Sequence, residues 1–155
     1  MATWTEFATA APAMSAAVAA RLKAHKHHVL ATLRKDGSPR VSGTEVVFTD
    51  DGLLRLDSMP NALKAVDLQR DPRFALHANP GHHTMDGGDA KLSGTAVELT
   101  DPDELQKIFD AAPPELTPFH VFDLDIAEVV LTTLVDDHIQ IDLWRPGAQV
   151  QSFTR

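Results

Sequence analysis

The run Val29-Leu30-Ala31-Thr32-Leu33 and the longer run Val41 to Phe48 are rich in β-branched and apolar residues, with the polar tetrad Lys35-Asp36-Gly37-Ser38 between them. Such runs read as strands. An Asp-Gly pair between two of them predicts a hairpin, because glycine accepts the positive φ that the turn imposes. A second pair, Asp51-Gly52, introduces Leu53 to Asp57, so the stretch predicts a three-strand meander. The period then changes. Ser58-Met59-Pro60-Asn61 offers capping residues and a proline, and Leu63, Val66 and Leu68 form an apolar stripe. Together they predict a helix of about ten residues that Asp71-Pro72 ends.

The flanks support this central stretch. Thr3 to Ala24 predicts two helical pieces, the first opened by the capping sequence Thr3-Trp4-Thr5-Glu6 and the second by Pro12, with Met14, Ala17, Val18 and Leu22 on one stripe. Arg73 to Ala78 predicts a further strand, and Asn79 to Asp89 a polar, turn-rich loop. Ala90 to Leu99 alternates as a strand in which Gly94 marks a bulge or a close backbone approach. A helix follows from Thr100-Asp101-Pro102, where Asp103 and Glu104 complement the helix dipole. Pro113 to Phe119 reads as a linker, and Phe122 to Leu134 and His138 to Trp144 as two long strands joined through Asp136-Asp137.

Composition narrows the function. A chain of 155 residues fits one domain, with an N-terminal helical segment over 1-25 and the strand-rich remainder over 26-155. Cysteine is absent, which excludes disulfides, thiolate nucleophiles and Cys-ligated metals. Tyrosine is absent too, so no phenol serves as an acid. A net charge of -8 argues against a nucleic-acid or anionic-membrane surface, since both need clustered cations. With no basic n-region and no run of transmembrane length, a soluble, cytoplasmic protein is expected.

Several side chains invite a chemical reading. His25-Lys26-His27-His28 carries metal-ligand residue types, but it lies at a helix-to-strand junction without a carboxylate at a motif spacing, so no metal site is expected. His82, His83 and Met85 could approach a ligand from the polar loop, although exposed loop residues are the simpler reading. Asp123 and Asp125 are alternate residues on one strand and share a face, as an acid/base pair or as two solvated edge carboxylates. Lys64 stands in the first turn of the central helix, where free backbone N–H groups and the helix dipole favour an anion. The alternative is a solvated surface lysine.

The order of GSPRV, two apolar strands, SMP-x-x-x-K-x-x-D-L-x-x-DPRFALH and a later KLSG strand resembles the pyridoxamine 5'-phosphate oxidase-like, flavin-binding split-barrel proteins. The resemblance spans roughly Glu6 to Trp144 and is most specific between Ala31 and His77. It implies a mostly β fold, a six-stranded split β-barrel with flanking helices. It also implies a homodimer that binds flavin mononucleotide (FMN) or the deazaflavin coenzyme F420 between its subunits. In that pattern Lys64 matches the phosphate-binding lysine, and Ser58, Met59 and Asn61 match the turn around the phosphate and ribityl chain. Arg40, Val41, Ser42, Gly43 and Thr44 match the strand beside the ring, and Trp144 sits where some relatives place an indole against the partner subunit's cofactor. A core or interface aromatic is the alternative for Trp144.

Two departures qualify the resemblance. Many relatives carry a Ser or Thr two residues before the lysine and a cation immediately before it, where this chain has Ala62 and Leu63. The Arg-and-His motif with which authentic pyridoxamine phosphate oxidases grip their substrate is missing from the C-terminal DLWRPGAQVQSFTR, so no pyridoxal phosphate synthesis is expected. The implied activity is hydride transfer between FMN or F420 and a small organic substrate, with His77 or Arg40 as candidates for proton delivery. The competing expectation is a split-barrel binding protein with weak flavin affinity that holds another ligand, such as a tetrapyrrole, with His82 or His83 as ligands.

Overall fold

The computed structural model describes residues 1–155. Two helices open the chain, α1 (Trp4–Ala10) and α2 (Pro12–Ala24). The first is fixed by the expected capping box: Glu6 N donates to Thr3 Oγ1, and Thr3 N donates to the Glu6 carboxylate at 2.7 Å. Strands β1 (His28–Leu33) and β2 (Pro39–Thr44) form the first predicted hairpin, and β3 (Val46–Phe48) and β4 (Leu54–Ser58) the second. Their turns use Gly37 at φ 82° and Gly52 at φ 81°, as the Asp-Gly pairs predict. Then come α3 (Leu63–Arg70), β5 (Arg73–His77), β6 (Asp89–Glu98), α4 (Pro102–Ala111), β7 (His120–Val135), β8 (His138–Trp144) and β9 (Gln151–Thr154).

All ladders are antiparallel, and the sheet runs in the order β2-β1-β5-β6-β7-β4-β3, with β8 added to β7 and β9 to β8. The expected strand Val41 to Phe48 is therefore two strands, broken at Glu45, whose halves lie at opposite ends of the sheet path. Counting them as the arms of one bent strand leaves six barrel members, and the chain itself closes the barrel at Glu45. The fold is a split barrel. The bulge expected in the long central ladder is present: register shifts between Ser93 and Gly94, and a Cβ on Gly94 would lie 1.9 Å from the Asp125 carbonyl oxygen.

Leu30, Leu56, Leu92, Phe122, Ile126 and Val129 fill the barrel, and Phe7 and Val18 of the N-terminal helices join the same core. Trp144 packs on Phe7 with ring centroids 4.7 Å apart. Burial of this surface is the main stabilising term.

The helix α3 departs from its predicted pattern. Its inner face is Ala65, Asp67 and Leu68, while Leu63 and Val66 point outward. Its cap is Ala62, not a residue of Ser58 to Asn61, because Ser58 still belongs to β4, paired with His120, and Asn61 takes a left-handed turn conformation at φ 62°. Asp67 explains the rotation. Its buried carboxylate accepts from Arg40 Nε at 2.6 Å, Thr32 Oγ1 at 2.9 Å and Arg70 at 3.2 Å, joining α3 to β1 and β2. Burial alone would raise this carboxyl, but the hydrogen bonds from Arg40, Thr32 and Arg70 outweigh it and hold it below its ordinary value.

Removing one partner of a buried ion pair strands the other. Asp67→Ala should lower stability by about 3 kcal/mol in urea denaturation at neutral pH. A carboxyl with a depressed folded-state pKa contributes stability above its unfolded value and loses it as pH falls through the folded one. The gap between wild type and variant should therefore shrink below about pH 4.

Candidate functional site

Where β4 ends and α3 begins, a cavity of about 460 Å³ opens against the barrel corner. Lys64, Ser58 and Met59 line it from the β4–α3 junction, Gly43 and Thr44 from the end of β2, and Glu45 from the corner itself. Asp57 and His27 complete its polar side, and Ala112, Pro113, Leu116 and Phe119 of the segment after α4 form an apolar wall.

The Lys64 ammonium donates to the Gly43 carbonyl oxygen at 2.9 Å and lies 3.5 Å from Thr44 Oγ1, with no carboxylate in ion-pair contact. It is half-buried and held over the end of β2. Burial pushes its pKa down, with the Glu45 carboxylate opposing the shift. Ser58 Oγ is buried and unpartnered, as is one oxygen of Asp57. Burial raises the Asp57 carboxyl, Arg55 counteracts this, and Glu45 and Asp123 add to it. Ala62 supplies no side-chain cap, so the Leu63 and Lys64 amides at the start of α3 are open to an anion. A lysine, an orphan hydroxyl and uncapped helix amides fit a phosphate group.

The expected residues separate into two groups. Gly43, Thr44, Ser58, Met59 and Lys64 converge on the cavity, whereas Arg40, Val41, Ser42, Asn61 and Trp144 do not line it. Arg40 is committed to Asp67, Val41 is 69 % exposed on the outer side, and Asn61 shapes the turn. Trp144 is only 2 % exposed and packed on Phe7, which makes it a core aromatic with no face free for a cofactor. Neither candidate for proton delivery reaches the cavity: His77 lines a different depression, beside Val29 and Lys91. His82 and His83 stack on each other with centroids 3.9 Å apart and also lie off the cavity. Asp123 receives a two-pronged bond from Arg55, at 2.7 and 3.1 Å, which excludes a pair with Asp125. No cluster of three metal-ligating side chains exists, and no helix is long and apolar enough to cross a membrane.

Sequence reasoning missed Asp57, Glu45, His27 and the wall from Ala112 to Phe119. The alternation of Leu54 and Leu56 places Asp57 off the core face, but nothing in the pattern tells a solvated carboxylate from one closed in by two other segments.

An orphan hydroxyl is a cost to the free protein. Ser58→Ala should raise its stability by about 1 kcal/mol in urea denaturation.

The sequence profile described as pyridoxamine 5'-phosphate oxidase matches residues 14–133. No curated protein matches the chain. Among solved structures, the chain is similar to a pyridoxamine 5'-phosphate oxidase-related, FMN-binding protein from Nostoc punctiforme, at 17 % identity and TM-score 0.64 over 100 % of this chain and 97 % of that one. It is similar to PhzG from Burkholderia lata, solved with tetrahydrophenazine-1-carboxylic acid, at 15 % identity and TM-score 0.66 over 92 % and 87 %. It is also similar to Campylobacter jejuni ChuZ, at 12 % identity and TM-score 0.66 over 90 % and 62 %. These likenesses carry the fold. The profile match extends over most of the sequence, from α2 through β7, and on that ground the chain belongs to the pyridoxamine 5'-phosphate oxidase family of split-barrel proteins.

Proposed function

We propose that this protein is an FMN- or F420-dependent oxidoreductase that moves a hydride between its cofactor and a small organic substrate. The observation that carries the reading is the Lys64 cavity, lined by a lysine and by a serine whose hydroxyl has no partner, at the uncapped start of α3. Family membership and the likeness to the FMN-binding Nostoc protein support it. When bound, the flavin or deazaflavin supplies the hydride chemistry. The protein's own part is to hold and orient. Lys64, Ser58 and the Leu63 and Lys64 amides take the phosphate, and the backbone of Gly43 and Thr44 lies along the path leading away from it. The apolar wall of Leu116 and Phe119 offers a surface for a flat ring or a conjugated substrate and excludes water there.

A second copy of the chain completes the site in this reading. Large apolar side chains lie uncovered around the cavity: Met59 is 76 % and Leu63 60 % exposed, and Val41 stands out from β2 close by. Apolar groups gathered at a polar cavity mark a contact surface. Size-exclusion chromatography with light scattering should find a dimer, and Val41→Asp should shift it toward monomer.

The second reading, a binding protein without tight flavin affinity, draws on the carboxylates of Glu45 and Asp57 in the same cavity, which oppose a phosphate. A tetrapyrrole would find His27 as the one imidazole on the cavity wall.

The deciding experiment is a fluorescence titration of wild type and Lys64→Ala with FMN and with F420. A charge-assisted hydrogen bond contributes about 1.5 to 3 kcal/mol, so the variant should bind at least about tenfold more weakly. Equal affinity for both proteins would remove the phosphate from Lys64.

A further inference from the structure

Two features of the chain meet at Asn79: the histidine run between α2 and β1, and the polar loop that follows β5. Asn79 N donates to His28 Nδ1 at 3.1 Å, and Asn79 Nδ2 donates to the His27 carbonyl oxygen at 3.0 Å. His28 is only 3 % exposed, so the acceptor is a buried imidazole. A ring nitrogen accepts only when it carries no proton. His28 is therefore neutral while this bond is made.

Arg21 grips the same loop from α2. Its guanidinium donates to the carbonyl oxygens of Asn79 at 3.2 Å and Asp86 at 3.3 Å, one on each limb. The loop is shaped round it: a Cβ on Gly81 would lie 2.6 Å from a guanidinium nitrogen, and one on Gly87 3.2 Å from Cδ. The side chain is 9 % exposed, its Nε has no partner, and both its acceptors are neutral carbonyls. A buried cation held without a carboxylate makes a second one beside it costly. Arg21 and His28 both touch Asn79, so a proton on His28 sets two positive charges against one residue.

The other charges around His28 come from several elements. His25 ends α2, Lys26 and His27 lead into β1, and Glu45 at the barrel corner pairs with Lys26 at 3.4 Å and His27 at 3.6 Å. Opposite on β2 stands uncharged Thr44, with the Lys64 ammonium 3.5 Å from its Oγ1. The loop carries His82, His83 and Asp86. Burial pushes His28 below its ordinary value, and His25 and His27 push the same way, against a hydrogen bond to the Leu22 carbonyl and the Glu45 charge.

We propose that His28 and Arg21 form an acid-sensitive latch on the loop from Asn79 to Gly88. Neutral His28 keeps it shut; a proton on Nδ1 turns the acceptor into a donor, expels the Asn79 amide and frees the loop. With the loop released, His28 meets water and takes up its proton near the ordinary imidazole value of about 6.5. Opening therefore becomes easier as pH falls below that value, by up to about tenfold per pH unit. Asn79 also holds the backbone of His27, a residue of the Lys64 cavity wall, so release loosens that wall.

Hydrogen exchange of single amides in the full chain, read by NMR as protection factors at about pH 7.5 and about pH 5.5, tests the latch on either side of the imidazole range. In wild type Asn79 and Gly88 should lose about tenfold in protection at the lower pH, while Leu30 in the central strand β1 keeps its own. In His28→Asn, whose amide oxygen stands near the Nδ1 position and does not titrate, the change should stay below about twofold. A thermal melt checks that the variant folds. The ring nitrogens of His28 in wild type should take up their proton in step with the lost protection, which keeps the test open if the variant does not fold. Four results would each overturn the latch: protection that ignores pH, a loss that persists in His28→Asn, a loss shared by Leu30, or a loss confined to Asn79. Ring nitrogens that titrate out of step with the protection would do the same.

Discussion

The placement of the site depends on one carboxylate. Asp67 gathers Thr32 of β1, Arg40 of β2 and Arg70 of its own helix, and Arg70 also donates to the Leu33 carbonyl. Three points of attachment, at Thr32, Arg40 and the Leu33 carbonyl, fix the rotation and height of α3 on the barrel. Lys64 lies three residues earlier, so the same attachment sets its ammonium over Gly43 and aims the uncapped start of the helix into the cavity. A buried ion pair is a weak source of net stability, because desolvation offsets much of the attraction. Its consequence here is geometric: an apolar contact would let α3 slide, whereas three directed hydrogen bonds to one carboxylate do not.

The second constraint is the corner at Glu45. A barrel that closes through a bent chain instead of a ladder leaves a seam, and the cavity lies along that seam between β2, the end of β4 and the start of α3. The segment after α4 covers one side with apolar residues. This combination of a polar, half-neutralised floor and an apolar wall suits a ligand with a charged end and a flat body. It also explains why the strongest signals are backbone groups and orphan side chains. A redox cofactor brings its own reactivity, and the protein needs to bind, orient and exclude water.

Much of the fold was legible because its turns carry their own chemistry. Asp36-Gly37 and Asp51-Gly52 announce the two hairpins, Thr3 and Glu6 the first helix, and Gly94 the bulge, each through a local rule that tertiary packing does not override. The break at Glu45 was not legible, since Val41 to Phe48 keeps strand composition on both sides of it. The short strand β9 was missed because Gln151-Ser152-Phe153-Thr154 has little apolar periodicity and is held by pairing with β8 alone. The stripe of Leu63, Val66 and Leu68 misled because apolar periodicity assumes that the inner face is apolar. Here Asp67 takes an inner position through its partners. Within the site, Lys64 and Ser58 were legible by resemblance to the family's motif. Asp57, Glu45 and Phe119 come from separate segments, and only the closed barrel brings them to one cavity. Trp144 shows the converse limit: its position in the sequence suited a cofactor contact, and Phe7, far away in the chain, claimed its face.

The central claim is that the cavity at the start of α3 holds a phosphorylated flavin or deazaflavin. The absorption spectrum of the purified protein tests it most directly, taken before and after incubation with FMN or F420 and removal of free ligand by desalting. The account predicts a retained chromophore at about one per chain, as expected for a single built site of this kind. A colourless protein after both incubations, with a melting temperature unmoved by either ligand, would contradict it.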